Sequence, residues 1–156
     1  MTYIIGIDPT DRASTAQHRA GSIGMDSGGV EYIYVVAGGT IASGDCVSVD
    51  SSFSALSITK TLADAMPIVA FAQSAFTSGQ WGWVARRGVG IRGNMLASTT
   101  VNAPLYTTAT AGYLSHVATS QTMIHGVCAT TTTGSNATQT LRANTNPSVI
   151  RGTVNA

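Results

Sequence analysis

The pattern of apolar and polar positions is clearest between residues 79 and 95. Side chains there alternate between two faces of an extended chain, with Trp81, Trp83 and Ala85 on one face. After the first of three closely spaced glycines the alternation resumes and places Val89 and Ile91 on one face, together with Met95. This pattern predicts two strands, or one strand broken by a glycine bend. Because two large rings at this spacing can bury a large apolar area, both tryptophans are predicted core anchors.

A second strong pattern covers residues 21–37. The turn residues Ser27-Gly28-Gly29 predict a hairpin between a strand at 21–25 and a strand at 31–37. The second of these strands is apolar on both faces, which is typical of a strand buried on two sides. Tyr32 and Tyr34 are therefore predicted core anchors as well.

The rest of the chain predicts about ten short strands at a spacing of roughly 8–12 residues, with one modest helix candidate at 60–66. Such a pattern is typical of an all-β fold, either a β-sandwich or a β-barrel. Residues 22–156 are predicted to form a single β domain. Residues 1–21 begin with a short apolar burst and then lose strand alternation, so we expect an extended N-terminal arm that becomes ordered on a neighbouring subunit. The alternative for this segment is a frayed terminus.

Charge changes this picture in one respect. Charged residues make up 10% of the chain, and all seven acidic residues lie at or before Asp64, whereas residues 79–156 carry five arginines. Only Arg86, Arg87 and Arg92 cluster, without a lysine-rich run, so we expect no nucleic-acid binding. We expect at least one of these three arginines to pair with a carboxylate of another subunit, the alternative being solvated charges at strand ends.

The candidate interaction residues therefore fall in two groups, one in the arm and one in the arginine cluster. They are Tyr3, Ile4, Ile5, Asp8, Asp11, Arg12, Arg86, Arg87 and Arg92.

The sequence offers little that points to catalysis. Gly88-Val89-Gly90-Ile91-Arg92-Gly93 matches a dinucleotide-binding motif in letters, but strand-like residues follow it and no acidic residue lies downstream. Cys46 and Cys128 fit no metal or redox spacing. No pair of acids is positioned for general acid–base catalysis. We therefore expect no enzyme activity, no cofactor and no metal, and the apolar segments are too interrupted to predict a membrane span.

Several segments resemble a group of small structural proteins of tailed phages, the head decoration or cement proteins. The most specific are Glu31-Tyr32-Ile33-Tyr34-Val35 after a glycine turn and Pro104-Leu105-Tyr106-Thr107-Thr108, and the resemblance covers about residues 20–127. It implies a β-rich domain on the outer surface of the capsid, often a homotrimer, that clamps neighbouring copies of the major capsid protein. The expected location is thus the virion surface, after assembly in the host cytoplasm. The arm at residues 1–21 matches no part of this pattern.

Two alternatives remain at this point. A receptor-binding or carbohydrate-binding β module of a phage fibre or tail would use exposed aromatic rings, so the exposure of Trp81 and Trp83 distinguishes it from a scaffold. A major shell protein would need a long helix, which the sequence does not predict, and the chain is short for that role.

Overall fold

The computed structural model describes residues 3–66, 68–118, 121–132 and 134–149, with backbone only for Tyr3 and for residues 144–149; the end of the predicted domain, 150–156, lies outside the described residues. Nearly all of the regular structure is β, which confirms the all-β prediction. The elements are β1 (Tyr3–Ile5), β2 (Arg12–Ala13), β3 (Ile23–Met25), β4 (Glu31–Ala37), β5 (Cys46–Val49), β6 (Ser54–Ser57), α1 (Lys60–Ala65), β7 (Ile68–Ala72), β8 (Trp81–Met95), β9 (Pro104–Thr107), β10 (Leu114–Ser115), β11 (Met123–Ala129) and β12 (Ala137–Val149).

Five strands close into a first ring. β4 pairs with β6, β6 with β5, β5 with β7, β7 with β8, and β8 returns to β4. Alternate residues of each strand point into this ring, as the period of two requires. The interior contains Ile33, Val35, Val47, Val49, Ala55, Ala70, Ala72 and Val84, all buried. The first ring is therefore a small barrel filled by side chains.

The second ring is formed by later strands and the far half of β8. β8 pairs with β12, β12 with β11, β11 with β9, β9 with β10, and β10 returns to β8. Ile91, Leu105 and Leu141 are fully buried between these strands, in the same cluster as Trp83 and Phe71. The core of the second ring is thus continuous with the outer face of the first ring.

β8 is the strand that the two rings share. Its first half, Trp81–Arg87, pairs with β4, and its second half, from Gly88 onwards, pairs with β12. It is a single strand with a glycine bend, the second of the two possibilities that the sequence left open. One prediction within it is wrong: Val89 does not share the buried face of Ile91 but is 63% exposed. The reason is a register shift between Leu141 and Arg142, which leaves an extra residue in β8 at this point.

The hairpin and the helix follow their local signals. β3 and β4 pair in antiparallel register around the predicted turn, whose Asp26 accepts hydrogen bonds from the backbone of Gly28 and Val30 at 2.9 Å each. The helix α1 begins after Thr59, whose hydroxyl accepts a hydrogen bond from the backbone N–H of Leu62.

The segment predicted as an N-terminal arm contains two short strands in the described part of the chain. β1 pairs in parallel with β3, and β2 pairs in antiparallel register with the start of β8. Further along, the backbone N–H of Gln17 donates to the hydroxyl of Tyr34 at 3.1 Å, and the ring of His18 contacts that of Trp83. This segment therefore runs over the surface of its own subunit. That it becomes ordered on a neighbouring subunit stays a prediction.

Candidate interaction surface at the bend of β8

An open cleft of about 450 Å³ lies beside the bend of β8. One wall is the turn between β3 and β4, and the other is the bend itself. The lining residues are Met25, Gly29, Glu31, Arg87, Gly88, Val89 and Ala143. We call this feature the bend cleft.

Glycine at position 88 makes the bend possible. Gly88 has a φ of 142°, which L side chains rarely adopt, and a Cβ built there would lie 3.0 Å from Cγ2 of Val30 and 3.1 Å from its Cα. Two residues later Gly90 has a φ of 81° at the register shift towards β12. A second shift separates Glu31 from Tyr32 on the β4 side. Because the ladder is irregular on both sides, β8 moves away from a flat sheet and opens the cleft.

The charges around the bend cleft are unequal. Glu31 pairs with Arg86 at 3.1 Å, and both side chains are 19% exposed. Arg87 is exposed and, within the described part of the chain, forms no ion pair. Arg142 is also exposed and is the strand partner of Val89. The region thus has three arginines and two carboxylates, those of Glu31 and Asp26. Both carboxylates already have partners, since Glu31 pairs with Arg86 and Asp26 accepts three hydrogen bonds.

The two most exposed large hydrophobic side chains of the described residues both border this region. Val89 lines the cleft, and Ile5, which is 82% exposed, is the strand partner of the lining residue Met25. Single exposed hydrophobic residues are common, but two beside one cleft make this region the candidate contact surface. β1 pairs only with β3 among the described strands, so its outer edge offers backbone hydrogen-bonding groups to a partner.

The predicted interaction residues are spread over several places. Ile5, Arg86 and Arg87 belong to the region of the bend cleft, whereas Ile4 packs against the large core cluster. Arg92 is exposed on β8 beyond the bend.

Tyr3 lies in β1 and is described by its backbone alone, and the other three predicted residues lie near the start of β8. Arg12 is the strand partner of Gly82 and donates from Nη1 to the carbonyl oxygen of Ala75 at 2.6 Å, with Asp11 beside it in the chain. Asp8 accepts from the hydroxyl and the backbone N–H of Thr10, and these bonds hold the pKa of its carboxyl below the ordinary value. Five residues separate Gly82 from Arg87, roughly 17 Å along a strand. The predicted set is therefore not one continuous site.

Three of the four predicted core anchors, Tyr34, Trp81 and Trp83, form an aromatic cluster. Trp83, Tyr32 and Tyr34 are 2–3% exposed, and Trp81 is half-buried. The ring centroids of Tyr34 and Trp83 are 4.9 Å apart, and Tyr34 stacks on Trp81 at 5.9 Å. The hydroxyl of Tyr32 donates to Asp26 at 3.0 Å; burial, and then this carboxylate, raise the pKa of Tyr32.

A buried polar network joins the two rings, and the sequence did not indicate it. Asp45 is 5% exposed and accepts from the Ser57 hydroxyl at 2.7 Å and from Nδ2 of Asn94 at 3.0 Å. The Asn94 oxygen in turn accepts from the hydroxyl of Thr138 at 2.7 Å. Burial, with a smaller effect of the adjacent Asp45, raises the pKa of the Cys46 thiol well above its ordinary value. This network fastens β5 and β6 to β8 and β12, and a neutral buried thiol is a poor nucleophile.

Comparison of the chain with protein-family models and with curated proteins finds no match. Over the residues that the structure describes, no helix is long and apolar enough to cross a membrane. The same residues contain no group of three or more histidine, cysteine or acidic side chains placed to hold a metal ion.

Proposed function

We propose that this chain is a structural protein of a phage virion, a decoration protein that binds the outer surface of the capsid and stabilises it through the major capsid protein and neighbouring copies. The observation that carries the proposal is the placement of Ile5 and Val89, the two most exposed large hydrophobic residues in the described part of the chain, beside one cleft on a closed β scaffold. A rigid scaffold with one contact surface suits a protein whose task is to bind assembled shells. Binding only to the assembled state stabilises that state by mass action.

The segment resemblance supports the same proposal. Its most specific motif, residues 31–35, forms most of β4, which pairs with β8 over the whole first half of that strand. Residues 104–108 contribute β9 to the second ring. These two motifs thus supply mainly strands of the scaffold, and of their residues Glu31 also lines the bend cleft.

The carbohydrate-binding alternative receives less support. A sugar platform needs exposed rings, and Trp83 is 2% exposed. Trp81 is half-buried and stacks on Tyr34, which leaves part of one ring for a ligand. One partly covered ring gives little stacking area compared with a pair.

The test is cryo-electron microscopy of particles of the phage whose genome encodes this chain. We expect copies on the outer face of the capsid, in contact with major capsid subunits. Copies at a fibre or tail tip would favour the receptor-binding alternative, and particles without the protein would overturn both. In the same particles, a chain lacking residues 1–17 should show reduced occupancy, because it lacks β1 and the exposed Ile5.

A further inference from the structure

We infer that the bend cleft is a recognition site for an extended segment of a partner protein that carries an acidic side chain next to aliphatic ones. The acidic side chain would pair with Arg87, and the aliphatic side chains would contact Val89 and Met25. This goes beyond the proposed function, since it specifies the chemistry of the partner segment and is tested on the purified protein.

The charge argument begins with the pair beside the cleft. Glu31 pairs with Arg86 at 3.1 Å, and among the described residues no ion pair joins Glu31 to the neighbouring Arg87. Arg87 lines the cleft and has five N–H donors, which match a carboxylate in a bidentate geometry. Arg142 adds a second cation at the strand position opposite Val89. The excess positive charge selects an acidic partner over a basic one.

The shape argument concerns the walls. The cleft lies between a β-turn and a strand bend, and it is bordered by apolar groups on both sides, Met25 on β3 and Val89 on β8. In an extended peptide, side chains alternate between two sides with a period of two. A segment in which an acid is flanked by aliphatic residues can therefore fill such a cleft, and its backbone lies close enough to β3 to continue towards the open edge of β1.

The experiment is selection of a displayed library of random ten-residue peptides on the immobilised, purified full-length protein. We expect the selected peptides to be enriched in Asp and Glu next to Val, Ile or Leu, and to bind at least tenfold more weakly to Arg87→Ala. Arg92→Ala is the matched control, because this arginine is exposed on the same strand but does not line the cleft. Arg87→Glu should reverse the selection towards Lys-containing and Arg-containing peptides.

Folding of each variant is checked by its melting temperature, which an exposed arginine should change little. A selection without acidic enrichment, or equal binding to Arg87→Ala and to the parent, would overturn the inference. So would a concentration-dependent oligomer in sedimentation experiments that Arg87→Glu dissociates, because the occupant would then be a second copy of this chain. Val89→Thr keeps the branched shape of the side chain and should weaken the selected peptides several-fold; unchanged binding would remove the apolar half of the inference.

Discussion

The two halves of β8 differ in regularity and in exposure, although they belong to one strand. Most of the first half, from Trp81 to Ala85, lies in a regular ladder with β4 and places a fully buried aromatic ring in the core; the ladder becomes irregular only between Ala85 and Arg87. The second half begins with a bend, has a register shift, and exposes Val89 and Arg92. A regular ladder fixes every side chain to one face or the other, whereas a bulge turns side chains outwards without ending the strand. The irregular part of β8, from Arg86 onwards, therefore carries residues of the proposed contact surface, and the regular part holds them in place.

The largest effect is expected in the regular half. Trp83→Ala should reduce the free energy of unfolding by about 3–5 kcal/mol, because the ring is 2% exposed and packs on Tyr34. Trp81→Ala is the matched control on the same face of β8, and its half-buried ring should cost clearly less. Urea unfolding of both variants measures the difference. Equal losses would mean that the two rings contribute alike and that the first half has no single anchor.

The bend gives the next largest effect. Gly88→Ala should lower the free energy of unfolding by about 2–3 kcal/mol, because an L residue at a φ of 142° is strained and its Cβ would press on Val30. Gly90→Ala is the control, since its φ is 81° but a Cβ there would meet no atom within 4 Å; about 1 kcal/mol is expected. Thermal unfolding compares the two. A cost at Gly88 no larger than at Gly90 would show that close packing against the hairpin does not fix the bend.

A pH effect is expected at Tyr32, which pairs with Ala85 at the end of the regular half. Its pKa is raised above the ordinary value of 10.0, so the folded state prefers the neutral hydroxyl. The stabilisation is fully present below pH 10.0 and is lost as the pH rises towards the folded pKa. Tyr32→Phe should cost about 1 kcal/mol at neutral pH, through the lost hydrogen bond to Asp26.

The measurement is the free energy of unfolding of parent and variant between pH 8 and pH 11.5. The parent should lose more stability than Tyr32→Phe over the alkaline part of this range. Parallel curves would show that the tyrosine is not responsible for any alkaline loss.

The smallest effects on stability belong to the arginines. Arg86→Ala should cost about 1 kcal/mol or less, since its pair with Glu31 is partly open to solvent. Arg87→Ala and Arg92→Ala should change stability by less than about 0.5 kcal/mol. Capsid occupancy at low and high salt is the second measurement, and there Arg87→Ala should lose most. If occupancy were unchanged for all three variants, charge would have no part in attachment.

The sequence predicted the fold through local patterns. The alternation around Trp83, the turn before β4 and the helix candidate at 60–66 depend on neighbouring residues, so they can be read from one chain. The closure into two rings depends on pairings between distant segments, such as β8 with β12, and no periodicity encodes a partner.

The contact surface was predictable only in part. Arg86 and Arg87 were singled out by their clustering, and Ile5 by the apolar burst at the chain start. Glu31 was missed as a site residue, because it lies opposite Arg87 only through the pairing of β4 with β8. The exposure of Val89 was missed because its alternation with Ile91 assumes an unbroken ladder. The spacing Gly88-x-Gly90 was the available signal, since paired glycines in a strand often mark a bulge.

The sharing of β8 between two rings has a consequence for biosynthesis. Every strand of the first ring lies between Glu31 and Arg87, whereas the second ring is complete only when residue 143 of β12 has been made. At about 5–20 residues per second, the 56 residues between positions 87 and 143 take about 3–11 s to translate. During this interval the face of the first ring that carries Trp83 and Phe71 has no second ring to cover it. A nascent chain stalled in this interval would expose the apolar side chains of this face, and this is where chaperones should bind it.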